Sequence, residues 1–236
     1  GKNPDICAQC KKPSCISPVI CKNLNADHTP LLDIYKEVDS IPEIKRSFIG
    51  SGIRYDLLLH RYADDNLNKA AHTYMEELIA RHVSGRLKVA PEHTEDNVLK
   101  MMRKPSFELF GQFKKIFDRV NKQHGLNQQL IPYFISSHPG CTEADMANLA
   151  IQTKKLHFQL EQVQDFTPTP MTLATEMYYT GYHPYTLEKV YTAHTKEQKL
   201  AQRQFFFWYK PEFRRQITQA LQKIGKKDLI GKLFGK

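Results

Sequence analysis

A chain of 236 residues, 41% of them apolar, can fill one α/β domain or one and a half ordinary ones, and no apolar run approaches the roughly 18 residues a membrane-spanning helix needs. The opening Gly1-Lys2-Asn3-Pro4-Asp5 lacks the charged-then-apolar pattern of an export signal, which points to a cytoplasmic protein; the chain also does not begin with Met, as expected of a processed protein or a piece of a longer one. The net charge of +9 is concentrated at one end: residues 196–236 hold eleven Lys or Arg against three acidic residues, whereas the first 195 hold 23 basic and 22 acidic ones. Such a tail suits a phosphate backbone, RNA included, or an acidic partner, and equally a solvated helical face.

Residues 1–30 read as an irregular Cys-rich segment. Four prolines interrupt it, and Cys7, Cys10, Cys15 and Cys21 fall in a C-x2-C-x4-C-x5-C pattern. Thiols this close together without a secretion signal favour a metal, either Zn2+ or an iron–sulfur cluster; reduced thiols and disulfides are the other open readings. His28 would substitute for one thiol. From Thr29 a helix is expected, with Thr29 as cap, Pro30 in the first turn and Leu31, Ile34, Tyr35 and Val38 on one face. Arg46 to Ile49 reads as a short strand running into the Gly50-Ser51-Gly52 turn, followed by Arg54. Glycines there allow a ligand to approach the backbone near Ser51 and Arg54.

Residues 67–82 form an amphipathic helix whose apolar stripe is core. Leu87-Lys88-Val89-Ala90-Pro91 alternates as a half-buried strand does, breaks into the polar turn Glu92-His93-Thr94-Glu95-Asp96, and resumes at helical spacing through Val98, Leu99 and Met102. A longer helix follows from about Ser106 towards Gly125. Gln129 to Ser136 is an apolar strand ending in Ser137-His138-Pro139-Gly140, after which Thr142 and Asp145 make a capping box. Leu160 to Phe166 is a further strand, ending at Thr167. The remainder is helical: Glu197 to Tyr209, an interruption at Pro211, then Phe213 to Ile224. The run Phe205-Phe206-Phe207-Trp208-Tyr209 either stacks on bases or docks on the body of the protein, and docking is the more economical reading because five adjacent rings must be partly buried.

Four strands, near 46, 87, 130 and 161, alternating with helices imply parallel pairing. Four are too few for a closed barrel, so the expected fold is α/β, a partial open (β/α) barrel in residues 31–191, with a basic helical extension over 192–236. Ligands bind beyond strand C-termini in such sheets, which would bring Arg54, Glu92, His93, His138 and Thr167 to one rim.

Several motifs are familiar. K-V-A-P-E-H-T-E-D-N-V-L-K-M-M-R, Y-F-I-S-S-H-P-G-C-T-E-A-D-M and Q-V-Q-D-F-T-P-T-P resemble successive strand segments of radical S-adenosylmethionine (radical SAM) proteins of the methylthiotransferase and elongator-subunit group. More narrowly, G-S-G-I-R-Y-D, V-A-P-E-H-T, L-I-P-Y-F-I-S-S-H-P-G and M-Y-Y-T-G resemble the YgiQ-type family of radical SAM proteins, in order, from about residue 10 onward. The resemblance implies an S-adenosylmethionine site contacted by Glu92, His93 and Arg103, with Ile135, Ser137, Phe166 and Thr167 beside them and Ser51, Arg54 and His138 on the same rim. Arg103 suits a carboxylate, or equally complements a helix C-terminus. The family's C-x3-C-x2-C motif, which holds its [4Fe-4S] cluster, is not in this sequence, and the four N-terminal cysteines do not have that spacing. The implied partner is therefore the N-terminal part of the same barrel, and the segment alone is expected to be catalytically incomplete. A non-enzymatic, metal-stabilised RNA-binding module is the competing expectation, and an extension that shields a barrel edge is a third.

Overall fold

The structure, a computed structural model, describes residues 1–235, so that Lys236, the last residue of the basic tail, lies outside the described residues. The chain divides into two compact units, Gly1–Val89 with Glu108–Leu130, and Ala90–Phe107 with Ile131–Lys236. Among the described residues no helix is long and apolar enough to cross a membrane.

In the first unit α1 (Pro4–Ala8) is capped by the Asn3 side chain, and α2 (Thr29–Asp39) follows an irregular stretch. The expected α2 helix forms, but two details differ from the sequence reading. Thr29 lies inside the helix, His28 is the N-cap and makes no side-chain cap bond, and the Thr29 N–H donates to the Asp27 carboxylate at 2.9 Å. The inward face carries Leu32 and Tyr35, while Leu31 and Ile34 remain 42% and 53% exposed. Apolar residues surround this helix, so periodicity alone could not choose a face.

The next elements are α3 (Tyr55–Leu59) and α4 (Asp65–Arg81), which buries Leu67, Ala70, Ala71, Tyr74, Met75, Leu78 and Ile79. Then come strand β1 (Arg86–Glu92), whose residues after Val89 belong to the second unit, α5 (Asp96–Met101), which belongs wholly to that second unit, and α6 (Phe107–Gln123), which from Glu108 is again part of the first. Phe110, Phe113, Phe117 and Val120 fill the core of the first unit, and Tyr55 stacks on Phe113 at 5.6 Å between centroids. The expected strand at 46–49 is absent. Instead the Ile49 N–H donates to the His82 carbonyl at 2.8 Å, and Ile53 makes an isolated parallel bridge with Val89. Gly52 permits this approach, because a Cβ there would stand 3.2 Å from the Lys88 carbonyl oxygen.

The second unit holds the rest of the alternation: β2 (Gln129–Ser136), α7 (Glu143–Lys155), β3 (Gln162–Asp165) and α8 (Leu173–Thr180). The sheet is small, open and parallel in the order β1-β2-β3, with Tyr133 opposite Gln162 and Ser136 opposite Asp165. Among the described residues three strands rather than four thus form. The capping box of α7 is present: Asp145 N–H donates to Thr142 Oγ1, and Thr142 N–H to Asp145 Oδ2 at 2.8 Å.

The basic tail folds as α9 (Lys196–Arg203), a 3-10 turn at Gln204–Phe207, α10 (Pro211–Lys223) and α11 (Asp228–Phe234). Pro211 opens α10, where its missing N–H leaves no intrahelical bond unmade. The aromatic run docks: Phe205 and Phe206 are fully buried in a cluster with Phe134, Met146, Leu149 and Ile217. Each such ring contributes about 1.5–3 kcal/mol by burial. Trp208 and Tyr209 anchor the run by donating to Thr153 Oγ1 at 3.1 Å and to the Leu160 carbonyl at 3.2 Å.

Candidate functional site

β1 and β2 end on residues in an unusual backbone conformation. Glu92 has φ 68° and the residue after β2, Ser137, has φ 61°, a region that side chains with a Cβ rarely occupy. Their side chains carry polar atoms that folding has not satisfied. Glu92 Oε1 pairs with Lys104 Nζ at 3.1 Å, but its Oε2 is buried with no hydrogen-bond partner. Ser137 Oγ is likewise buried and unpartnered. Leaving such a group unpaired costs about 1–3 kcal/mol, and two of them lie at the C-terminal ends of neighbouring strands.

The two histidines beside them are committed differently from what their sequence positions suggest. His93 is fully buried, its Nδ1 accepts the Glu95 N–H at 3.1 Å, and its Nε2 faces Cys141 Sγ at 3.5 Å. Burial pushes the imidazole down to about 3. Burial also pushes the Cys141 thiol up, so this pair is neutral and inert. His138 donates from Nδ1 to the Pro139 carbonyl at 2.8 Å and meets Phe166 edge-on at 5.0 Å. Burial lowers it to about 4. Neither ring carries a charge at neutral pH; both hold turns in place.

Phe166 continues the ladder beyond β3, its N–H donating to the Ser136 carbonyl at 2.8 Å. Its ring lies 5.7 Å from Tyr178, which in turn is 4.5 Å from His194, so an aromatic wall flanks the strand ends. Thr167 is exposed, with its hydroxyl 3.4 Å from the Asp165 carbonyl. Ile135 is half-buried in β2 opposite Gln164. Asp165 itself joins the Ser136 hydroxyl to Arg203 Nη1, the latter at 3.2 Å.

Arg103 has a simpler backbone account. The Arg103 N–H donates to the Lys100 carbonyl at 3.1 Å and the Lys104 N–H to that of Leu99 at 2.9 Å, which is the Schellman closure of α5 with arginine in the place usually taken by glycine. Its φ of 54° belongs to that cap, and its guanidinium lies over the Tyr185 ring at 5.4 Å.

Ser51 and Arg54 belong to the first unit, where Ser51 is exposed and Arg54 grips Asp56 through two guanidinium nitrogens, Nε at 2.8 Å. Cys7, Cys10 and Cys15 are exposed thiols and Cys21 is half-exposed. Among the described residues these sulfurs do not gather into a set of ligand atoms within 4.8 Å of one another.

One contributor escaped the sequence reading. Gln202, completely buried on α9, accepts the Ser137 N–H at 2.7 Å and donates to the Cys141 carbonyl at 2.7 Å. It thereby clamps the loop after β2. Its only signal was a polar residue beside the aromatic run, which reads as a solvent-facing position.

A family model described as "Domain of unknown function (DUF3362)" matches residues 161–236. The chain is 67% identical over its full length to a UPF0313 protein of Bacteroides thetaiotaomicron, of which it spans 38%. A UPF0313 protein of Porphyromonas gingivalis is also 67% identical, over 99% of this chain and 37% of its own length. One of Clostridium perfringens is 44% identical, over 94% and 32%. The chain thus spans about a third of the length of these curated relatives. The family-level expectation is met, and with the strand-end turns lying inside the aligned length, the chain is a homologue of the UPF0313 proteins throughout.

Proposed function

We propose that this chain supplies the ligand-binding rim of a radical S-adenosylmethionine enzyme as the C-terminal portion of a longer protein. The observation that supports it most is the pair of unpartnered buried atoms, Glu92 Oε2 and Ser137 Oγ, at adjacent strand ends. Glu92 Oε2 accepts from an amine or ribose hydroxyl, and Ser137 Oγ donates or accepts at the end of the neighbouring strand. The Phe166 and Tyr178 rings, tilted at 49° to each other, offer apolar contact to a purine. His93, held neutral, and Gln202 keep the two turns fixed, so ligand binding needs little reorganisation.

In this reading the three-stranded sheet is one arc of an open (β/α) barrel, completed by the preceding part of the longer protein, which also carries the cluster ligands. No step is assigned to the N-terminal thiols. The test uses the longer protein reconstituted with iron and sulfide and supplied with a reductant. S-adenosylmethionine should be cleaved to 5′-deoxyadenosine, and Glu92→Gln with Ser137→Ala should raise its KM at least tenfold. Absence of 5′-deoxyadenosine from cluster-loaded protein would sink the proposal.

A second reading rests on the exposed cations Arg214, Arg215, Lys223, Lys226 and Lys227 of the tail. They form a phosphate-contacting surface, for an RNA substrate or for an RNA-binding module without catalysis. Because Gln202, Phe205 and Phe206 lie in the core, removing the tail would unfold the second unit, so the charges are better neutralised in place. Changing these five residues to Gln should flatten the salt dependence of RNA affinity. An unaltered slope removes this reading.

A further inference from the structure

The first unit contains a second cluster of polar groups that the proposed rim does not use. His82 lies just beyond α4 and is 1% exposed. Its Nδ1 is 3.0 Å from the Ser47 carbonyl oxygen. A carbonyl can only accept, so this contact puts a proton on Nδ1, shared with the Ser47 hydroxyl oxygen also at 3.0 Å, and the neutral ring then has its lone pair on Nε2. That Nε2 has no hydrogen-bond partner. It faces Asp39 Oδ2 at 3.8 Å and Glu77 Oε1 at 3.9 Å. All three atoms lie within 4.8 Å of one another.

Three electron-pair donors therefore converge at separations too long for hydrogen bonds. Two donors each about 2.1 Å from a common metal ion stand about 3–4 Å apart, a span that holds both distances from His82 Nε2, 3.8 and 3.9 Å. The supports are in place as well. The Ser47 hydroxyl donates to Asp39 Oδ1 at 2.8 Å, holding that carboxylate by its far oxygen so that Oδ2 points at His82. The Tyr35 ring stacks on the imidazole at 3.9 Å and fixes its plane. Arg81 Nε sits 3.3 Å from Glu77 Oε1, but its side chain is 68% exposed and can swing into solvent. A histidine oriented by a backbone carbonyl, beside a carboxylate held by a hydroxyl, is how metal ligands are supported by their surroundings.

We infer that Asp39, Glu77 and His82 form a binding site for one divalent first-row transition-metal ion. One imidazole nitrogen and two carboxylate oxygens suit Mn2+, Fe2+ or Zn2+ better than Ca2+ or Mg2+, which favour all-oxygen shells. Three protein ligands leave the remaining positions to water. The ion would tie the end of α2 and the Ser47–Ile49 segment to the end of α4, all within the first unit. The site stands apart from the S-adenosylmethionine proposal, and either can fail without the other.

The test uses the whole chain with Cys7, Cys10, Cys15 and Cys21 changed to Ser, so that thiolates cannot compete, and Mn2+ as the probe. Electron paramagnetic resonance should show one equivalent bound, and Asp39→Asn or Glu77→Gln should each weaken it at least tenfold. Both replaced carboxylates are partly exposed, so the variants should keep the far-ultraviolet circular dichroism of the parent. Independently, Zn2+ should raise the Tm of the parent and not that of Asp39→Asn. Absent Mn2+ uptake, or uptake unaltered by both substitutions, overturns the assignment. So does a nitrogen NMR spectrum in excess Zn2+ showing His82 protonated on both ring nitrogens, which would make the cluster an ion-pair network.

Discussion

His82 in the first unit and His93 in the second are both almost wholly buried, yet the chain uses them in opposite ways. The second nitrogen decides. His93 has Nδ1 engaged by the Glu95 N–H and Nε2 turned to a neutral thiol, so its surroundings hold a neutral ring and ask nothing further of it. His82 has Nδ1 engaged by a carbonyl and Nε2 turned to two carboxylates that it cannot reach. Burial alone would have ranked them together; the partner of the far nitrogen makes one a positioning group and the other a ligand.

Acid is the strongest way to break this contrast. His93 and His138 have native values near 3 and 4, below the roughly 6.5 of an unfolded chain. On acidification the unfolded chain takes up protons first. Stability from these two groups is therefore complete above about pH 6.5 and falls towards pH 4, by about 1.4 kcal/mol per pH unit for each histidine. Urea denaturation at pH 7 and pH 5 measures the slope, and a His93→Gln, His138→Gln double variant should flatten it. A slope that survives both changes contradicts the neutral-histidine account.

Core and clamp come next. Phe205→Ala should destabilise by about 3–5 kcal/mol, as cavities in packed cores do; a cost below 1 kcal/mol would mean that the basic tail is not docked. Gln202→Ala should cost about 2–3 kcal/mol, because the buried Ser137 N–H and Cys141 carbonyl both lose their partner. Thr142→Ala should cost about 1 kcal/mol through its capping box. The smallest effect separates two roles of one residue. Arg103→Gly should stabilise by about 0.5–1 kcal/mol if Arg103 is only a left-handed cap. Unchanged S-adenosylmethionine affinity in that variant removes Arg103 from the ligand contacts, and a tenfold loss places it among them.

Much of the strand–helix alternation was legible from sequence because its signals are local. Leu87, Val89 and Pro91 alternate, Gln129 to Ser136 is an apolar run closed by Pro-Gly, and Thr142 with Asp145 is a capping box; each declares its structure within a few residues. The misreadings are non-local. Phe48 and Ile49 look like a strand, but the contact with β1 is made at Ile53, after the glycine turn, and no periodicity says which residue reaches a partner edge. The face of α2 was misjudged because a one-residue offset turns a helix by about 100°. Asp39 comes from a helix distant in the chain from Glu77 and His82, which lie together at the end of α4, and Gln202 is more than sixty residues from the groups it clamps. Glu92, Ser137 and His138 were legible as a polar rim, whereas the orphaned oxygens that single out Glu92 and Ser137 exist only in the folded chain.

The most direct test of the central claim is the affinity of the longer protein for S-adenosylmethionine, measured by equilibrium dialysis. The parent is compared with a Glu92→Gln, Ser137→Ala variant and with Met171→Ala as a surface control. The account predicts a Kd at least tenfold weaker in the double variant and unchanged in the control. Equal Kd values in all three would show that the β1 and β2 strand ends do not hold the ligand.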